Sequence, residues 1–426
     1  MKRCTTFALA VGVALVGVMA SPTPSAADEL PIIPGTHGFG MDTPAGSGRH
    51  LDTPRTRVIK VTNLNDKGPG SLRAALTAEG PRVVVFEVGG YIDLDSGIAI
   101  NDPYVTVAGQ TAPWPGIILR YYGLSVSADD VLIQHIGIRP GGQVKGRYIP
   151  HRGSMGVRGK HVVIDHCSMG WCQQTSMNLT GSQITLRFNI FSEGLYHAGH
   201  NEANHSKGIG IGLGHQNVKG GREAIALIGN VFAHNDGRNP QVSQNSTVAI
   251  LNNVMYNYAS TGIKAMRDPL VASIEGNVFA RGVDTVHVPE RPWRGKAAWI
   301  YVRHPESEIF FSSDNLIDGK THANPWEQIN ARRVMNEPDS KPLAEGIVRQ
   351  PSVVVPGYRV KPAKQAEAWV LAHVGPRPAH RGPIDARIAF EVATRTGRGR
   401  DDVADAGGWP DLPETRCPLI VPDRPH

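Results

Sequence analysis

A right-handed parallel β-helix is the architecture that the sequence predicts, and three observations predict it. A short apolar pattern repeats along the chain, its copies sit about one coil apart, and Asn recurs at a fixed place in the later copies. The copies are VAGQTA, IQHIGI, IDHCSM, LRFNIF, LIGNVF, ILNNVM, IEGNVF and SSDNLI. Their fourth residues are Gln110, Ile136, Cys167, Asn189, Asn230, Asn253, Asn277 and Asn315. The closest copies are separated by 22, 23 and 24 residues, and a step of 41 is close to two coils. Within that long step, HSKGIGIGLG supplies a further copy around Ile209 and Ile211. Each copy is too short for a helical repeat and suits a strand buried on one face. One coil cannot bury its apolar face alone, so stacked coils share one core. Asn at equivalent turns tolerates left-handed backbone and can satisfy neighbouring backbone groups. With 48 Gly and 32 Pro and few aromatics, the composition fits many short strands and turns.

The elements follow in chain order. Lys2 and Arg3 precede the apolar run FALAVGVALVGVMA, and small residues Ser25 to Ala27 end it. Residues 1–27 therefore read as a secretory signal peptide, and the run is too short for a membrane span. A secreted protein, extracellular or periplasmic, is expected. The β-helix is expected over 28–320, with the longer gaps leaving as loops near 140–158, 194–206 and 281–306. Such loops commonly build the binding face of a solenoid. Residues 321–426 read as a tail that packs on the solenoid and caps it, with one amphipathic helix over Lys361 to Val374.

Charge and cysteines exclude little but bound the rest. The net charge of +6 falls by two when the leader is removed, a mild excess that fits an anionic partner and does not demand a nucleic acid. Cys4 leaves with the leader. Cys167, Cys172 and Cys417 form neither a disulfide framework nor a zinc pattern, although a bridge from Cys417 stays open. A monomer is expected.

One stretch carries chemistry. In FAHNDGRNPQVSQ, Phe232 to Gln244, Arg238 stands two residues before Pro240, between Asn-led strands. Pro240 restricts Asn239 and stiffens the turn beneath the guanidinium. A surface arginine on a turn is the plain alternative. His197, His200, His205, His215 and His234 cluster nearby, without the spacing of a metal motif; they read as turn-filling or sugar-contacting side chains.

Several strings resemble a known family. PGTHGFGMDTPAG, VIKVTNLNDKGPGSLRAALTAEGPRVVVFEVGGYIDL, PYVTVAGQTAP, VVIDHCS, HSKG, GNVFAHNDGRNPQV and RTGRGRDDVADAGGWPDLP look like the secreted bacterial pectate lyases of polysaccharide lyase family 1. The resemblance runs from about Leu30 to Pro413. It implies a parallel β-helix lyase that cleaves an acidic galacturonan by β-elimination. It implies Arg238 as the base, being the first arginine of the family's RxPxxR motif, and Lys207 of HSKG as the clamp on the substrate carboxylate. An arginine ordinarily has a pKa above about 12. The resemblance therefore implies either a briefly deprotonated guanidinium or an electrostatic stabiliser, and both remain open.

The chain departs from the family pattern in several places. Ser243 stands where the motif's second arginine belongs. Gln174 and Thr175 stand where the resemblance implies calcium-binding acids, and no acid lies between His151 and Lys160. Calcium is therefore a doubtful cofactor, with Glu193 and Asp165 as weak remaining metal candidates. Arg147, Arg152 and Arg158 could bridge a carboxylate in calcium's place. His205, Arg152 and Arg158 join Lys207 as candidate substrate-binding residues. The expected partner is an anionic polysaccharide, with a methylated uronan as the alternative substrate. A β-helix glycoside hydrolase, using carboxylates such as Asp165, Glu193, Glu202 and Asp236, and a non-catalytic glycan-binding solenoid are the rival readings.

Overall fold

The computed structural model describes residues 30–53, 55–144, 147–148, 153–196, 205–212, 223–266, 269–287, 290–291, 293–301, 307–332 and 350–421. The expected leader and Arg152 lie outside the described residues, and so does the side chain of Arg147.

Among the described residues, short strands wind into three sheets of ten, ten and nine strands, all parallel except for one terminal strand of a ten-stranded sheet. In each coil a first-sheet strand such as Ile184–Arg187 is followed by a second-sheet strand, Ile190–Ser192, and a third-sheet strand, Lys207–Ile211. The next coil repeats the order with Glu223–Ile228, Val231–Ala233 and Gln241–Val242. The register is residue for residue: Ile184 pairs with Ile225 and Ile190 with Val231. Ile164, Leu186, Leu227, Ile250 and Ile274 thus stack in a single buried file. That file is the physical meaning of the apolar repeat, because each coil covers the apolar edge of the one before it.

The turn between first and second sheets holds the asparagines. Asn189, Asn230, Asn253, Asn277 and Asn315 are all buried and joined in one ladder. In each step an Oδ1 accepts both the backbone N–H and the Nδ2 of the Asn on the preceding coil, as Asn253 Oδ1 does from Asn230 (2.9 Å each). The pattern repeats from Asn189 to Asn230, from Asn253 to Asn277 and from Asn277 to Asn315. Cys167, the first sulfur-bearing copy, ends the ladder by donating its N–H to Asn189 Oδ1. The residue before Cys167 and before each rung from Asn189 to Asn277 is left-handed: His166 (φ 52°), Phe188 (51°), Gly229 (67°), Asn252 (54°) and Gly276 (62°). The ladder compensates that backbone cost by satisfying groups that water cannot reach. Asn253→Ala is expected to cost roughly 3 kcal/mol, since each orphaned buried group costs about 1–3 kcal/mol. The measurement is the urea midpoint at unchanged slope.

The helix read from the tail is present as Ala363–His373, and it lies along the second sheet beside Val254–Tyr256 and Val278–Ala280 rather than over an end. The end of the core at the first coil is covered instead by Leu72–Leu76, capped by Ser71 and braced by buried Arg82 against the carbonyls of Ala75 and Leu76. A further helix, Pro383–Thr394, was not read from the sequence.

The described tail makes three passes along the solenoid. From Val353, bonded to Ser273, it descends past Asn252 and Phe188 to His135 and Ala112. The helix Pro383–Thr394 climbs back from Arg139 and Ser168 to His234. The last stretch descends again, through Trp409 against Tyr91, to Thr415–Arg416, which pairs antiparallel with Val88 and Gly89 on the earliest coil. The three cysteines among the described residues are free; Cys167 and Cys172 are buried and Cys417 is exposed, so the open disulfide is not formed.

Candidate active site

The turns between second and third sheets carry the long insertions, and Lys207 and Arg238 both emerge there. Lys207 opens the strand Lys207–Ile211, pairs with Thr175 on the coil before, and bridges to Gly237 on the coil after. Thr175, Lys207 and Gly237 therefore stand in one row at the edge of the third sheet. Adjacent strands lie about 4.8 Å apart, so this row brings the lysine and the following Arg238 onto neighbouring coils.

Arg238 is held in a left-handed conformation, φ 59°. A non-glycine residue there costs roughly 1–3 kcal/mol and persists only when its surroundings fix it. The Arg238 carbonyl accepts from Ile209 N (2.7 Å), and the next residue, Asn239, donates its N–H to Gly262 O (3.1 Å). Asn239 is buried, its side chain bound to Asn235 and to Thr261 O, and its peptide with Pro240 is cis. The guanidinium then reaches back across the Lys207 coil, where Nη1 donates to Thr175 Oγ1 (2.7 Å). One of the two positions that read as lost acids is thus the hydroxyl that steadies Arg238. An acid there would hold the arginine in an ion pair.

Lys207 is only 19% exposed and forms an ion pair with buried Asp236. Asp236 is fixed through its N–H to Ser206 O (2.9 Å). An ammonium has three donors, so the pair aims the lysine while leaving capacity for a substrate oxygen. His205 stands two residues earlier on the same turn, its N–H on Tyr196 O.

Other sequence candidates fall elsewhere. Arg158 follows the strand Met155–Val157 at the far edge of the third sheet and donates to Ser125 Oγ (3.0 Å). It lies about 15 Å along the strands from the Arg238 edge, at roughly 3.3 Å per residue, so the structure does not bring it to Lys207. Ser243 is buried and accepts from Gln241 Nε2, leaving no cation at that position. His234, near Arg238 in sequence, is buried between Asn257 and Glu391.

The two weak metal candidates are committed inside the protein. Asp165 is buried and holds His166 (2.7 Å), Gln134 and Arg187. Glu193 is buried under the tail, bound by Arg387 at 2.7 and 2.8 Å, by Arg400 and by Trp171 Nε1. Burial alone would raise the Glu193 pKa, but the bonds and charge of Arg387, then Trp171 and His234, outweigh it and hold it at about 2. Among the described residues no group of three or more His, Cys, Asp or Glu is placed to hold a metal ion. Calcium takes six to eight oxygens, and each carboxylate oxygen of Asp165 and Glu193 already holds a partner inside the protein.

The fold and this cationic edge define a parallel β-helix with a cationic candidate site along one edge of its third sheet. Comparison with known proteins narrows the class. A probable pectate lyase C of Aspergillus flavus is 34% identical over 400 residues, covering 91% of this chain and 84% of that protein. Another, from Neosartorya fischeri, is 35% identical over 268 residues, covering 61% and 56%. The chain belongs to the pectate lyase family. A solved pectate lyase bound to a hexasaccharide superposes with a TM-score of 0.55 at 12% identity, over 83% of this chain and 99% of that one. The major allergen of cedar pollen gives 0.52 at 16% identity, over 80% and 92%. These two likenesses support the right-handed β-helix alone. No family model matches the chain.

Proposed function

We propose that this protein cleaves pectate-type galacturonan by β-elimination, with Arg238 as the base and Lys207 as the carboxylate clamp. The observation that carries the reading is the Thr175–Lys207–Gly237 row, which sets the two cations on neighbouring coils of one edge. Lys207 neutralises the uronate carboxylate, which raises the acidity of the adjacent C5–H. Arg238, in the momentarily deprotonated form that the base role requires, takes that proton and becomes a cation again. The electron pair forms the C4–C5 double bond and expels the oxygen at C4, which takes a proton from water, leaving an unsaturated sugar on one fragment and a hydroxyl on the other. Cations fixed where charge develops stabilise the intermediate without reorganising. His205, with Arg152 and Arg158, is proposed to contact more distant sugars.

Calcium is not needed in this reading, since cations of the chain occupy the carboxylate's surroundings. Export and a monomeric state are part of the same proposal; no helix among the described residues is long and apolar enough to cross a membrane. The test is ultraviolet absorbance of unsaturated product from polygalacturonate and from methylated pectin, each with calcium and with chelator. The expected result is a rise that survives chelation. A rise abolished by chelator would defeat the calcium-free reading, and none on either polymer would defeat the lyase.

A further inference from the structure

Beyond Arg238 the outer face of the third sheet changes character. Its outward row runs Gly156, Asn178, Gly210 and Gln241, all small or polar, and then Lys264 and Trp299 in the same register. The Lys264 ammonium sits 4.3 Å from the centre of the Trp299 ring. Trp293, from the insertion before the strand Lys296–Tyr301, stacks on Trp299 with centroids 4.7 Å apart and planes 15° from parallel. Both indoles are half-buried. Trp299 is the only ring partner of Trp293 among the described residues, and a single stacking partner covers one face of an indole. The floor of small side chains thus ends in a Lys–Trp–Trp wall one and two coils past the strand that follows Arg238.

We infer that Lys264, Trp299 and Trp293 form a distal subsite that stacks one uronate ring of a long acidic polysaccharide. This rests on the proposed lyase reading, since the chain must be laid across Arg238 to reach the wall. The chemistry matches the ligand. A pyranose ring presents a face of C–H bonds that packs on an indole, while its carboxylate meets the Lys264 ammonium. Apolar surface with a few placed charges is the usual make-up of such sites. Lys264 over Trp299 is itself a cation–π contact, which orders both side chains before the sugar arrives. Two strand spacings amount to roughly 10 Å, so a hexamer centred on Arg238 reaches the wall and a trimer does not.

The experiment compares hexagalacturonate with trigalacturonate as substrates for the wild type, Trp293→Ala and Trp293→Phe. Wild type is expected to show a lower KM for the hexamer. Trp293→Ala should shrink that advantage roughly three- to tenfold, the range of an aromatic contact, through KM more than kcat. Trp293→Phe should recover part of it. A KM ratio unchanged in folded Trp293→Ala would overturn the subsite. Binding is read separately by tryptophan fluorescence of Arg238→Ala titrated with hexagalacturonate. A saturable change that Trp293→Phe alters supports the subsite even if the wild type cuts neither oligomer, an outcome that would sink only the lyase reading. No saturable change in folded Arg238→Ala would overturn the subsite.

Discussion

Arg238→Ala should lower kcat on polygalacturonate by about 10³-fold, within the range of about 10²–10⁴ for a positioned proton-transfer group. KM should move little, because the carboxylate contact belongs to Lys207 in the proposed mechanism. Arg238→Lys separates the arginine's two conceivable roles. A lysine carries the charge but not the planar fork, and it is too short to keep the bond to Thr175. Its ordinary pKa of about 10.4 lies well below that of arginine. If position 238 is the base, it acts only when deprotonated, so the rising limb of the kcat profile should shift to lower pH in the lysine variant, with kcat reduced roughly 10²-fold. A limb that stays in place, with kcat nearly intact, would show that the residue contributes charge alone. Far-ultraviolet dichroism should match wild type in both variants, because the left-handed turn is held by backbone bonds to Ile209 and Gly262.

The second large effect concerns stability. Glu193→Ala should destabilise the fold by about 3–5 kcal/mol, as expected when one partner of a buried ion pair is removed. It would leave Arg387 and Arg400 facing each other with only Glu391 to share. Replacing Glu193 and Arg387 together by apolar residues should cost less than the single change. The pH dependence follows from the same site. Glu193 is held at about 2, below its ordinary value of about 4.3. A depressed carboxylate stabilises the fold above its unfolded pKa, and that contribution is lost as pH falls from about 4.3 towards 2. His135 adds an earlier loss. Burial first, then His166, lowers its pKa to about 4. It stays neutral in the fold while the unfolded chain gains a proton below about 6.5, so its contribution fades between about 6.5 and 4. Thermal midpoints measured from pH 7 to pH 2 should fall in these two windows, and Glu193→Ala should flatten the lower one.

The sequence made the solenoid legible because a strand stack repeats its own requirements. The Asn at 189, 230, 253, 277 and 315 is the ladder itself, and the apolar positions beside it are the file in the core. Arg238 and Lys207 were legible through their strings, and the structure sets them on adjacent coils. The partner of Arg238 was not: Thr175 lies 63 residues away and meets it only because coils bring distant residues into register. Glu193 looked like a spare carboxylate because its partners come from the tail, 194 and 207 residues further on. Arg158 was singled out because its stretch lacks an acid, but it stands at the opposite end of its strand from the Lys207 edge. The helix Pro383–Thr394 did leave a signal that went unread. Pro383 begins it, Asp385 lies in its first turn, and Ile384, Ile388 and Val392 recur every four residues on its buried face.

A stack of coils alone would be a zipper, each turn leaning only on its neighbours and free to fray from either end. The retrograde tail changes that. Lys60 meets the Leu419 carbonyl across 359 residues, and Leu419 returns a bond to Glu87 across 332. A stretch 332 residues further along the chain thus closes the edge of the earliest strands. Until it arrives, the earliest coil waits with that strand edge open. Once it has docked, loosening the first coil means peeling away the tail, which ties the early and late coils into a single cooperative unit. Truncation before Thr415 would return the molecule to a zipper that unravels from its amino-terminal end.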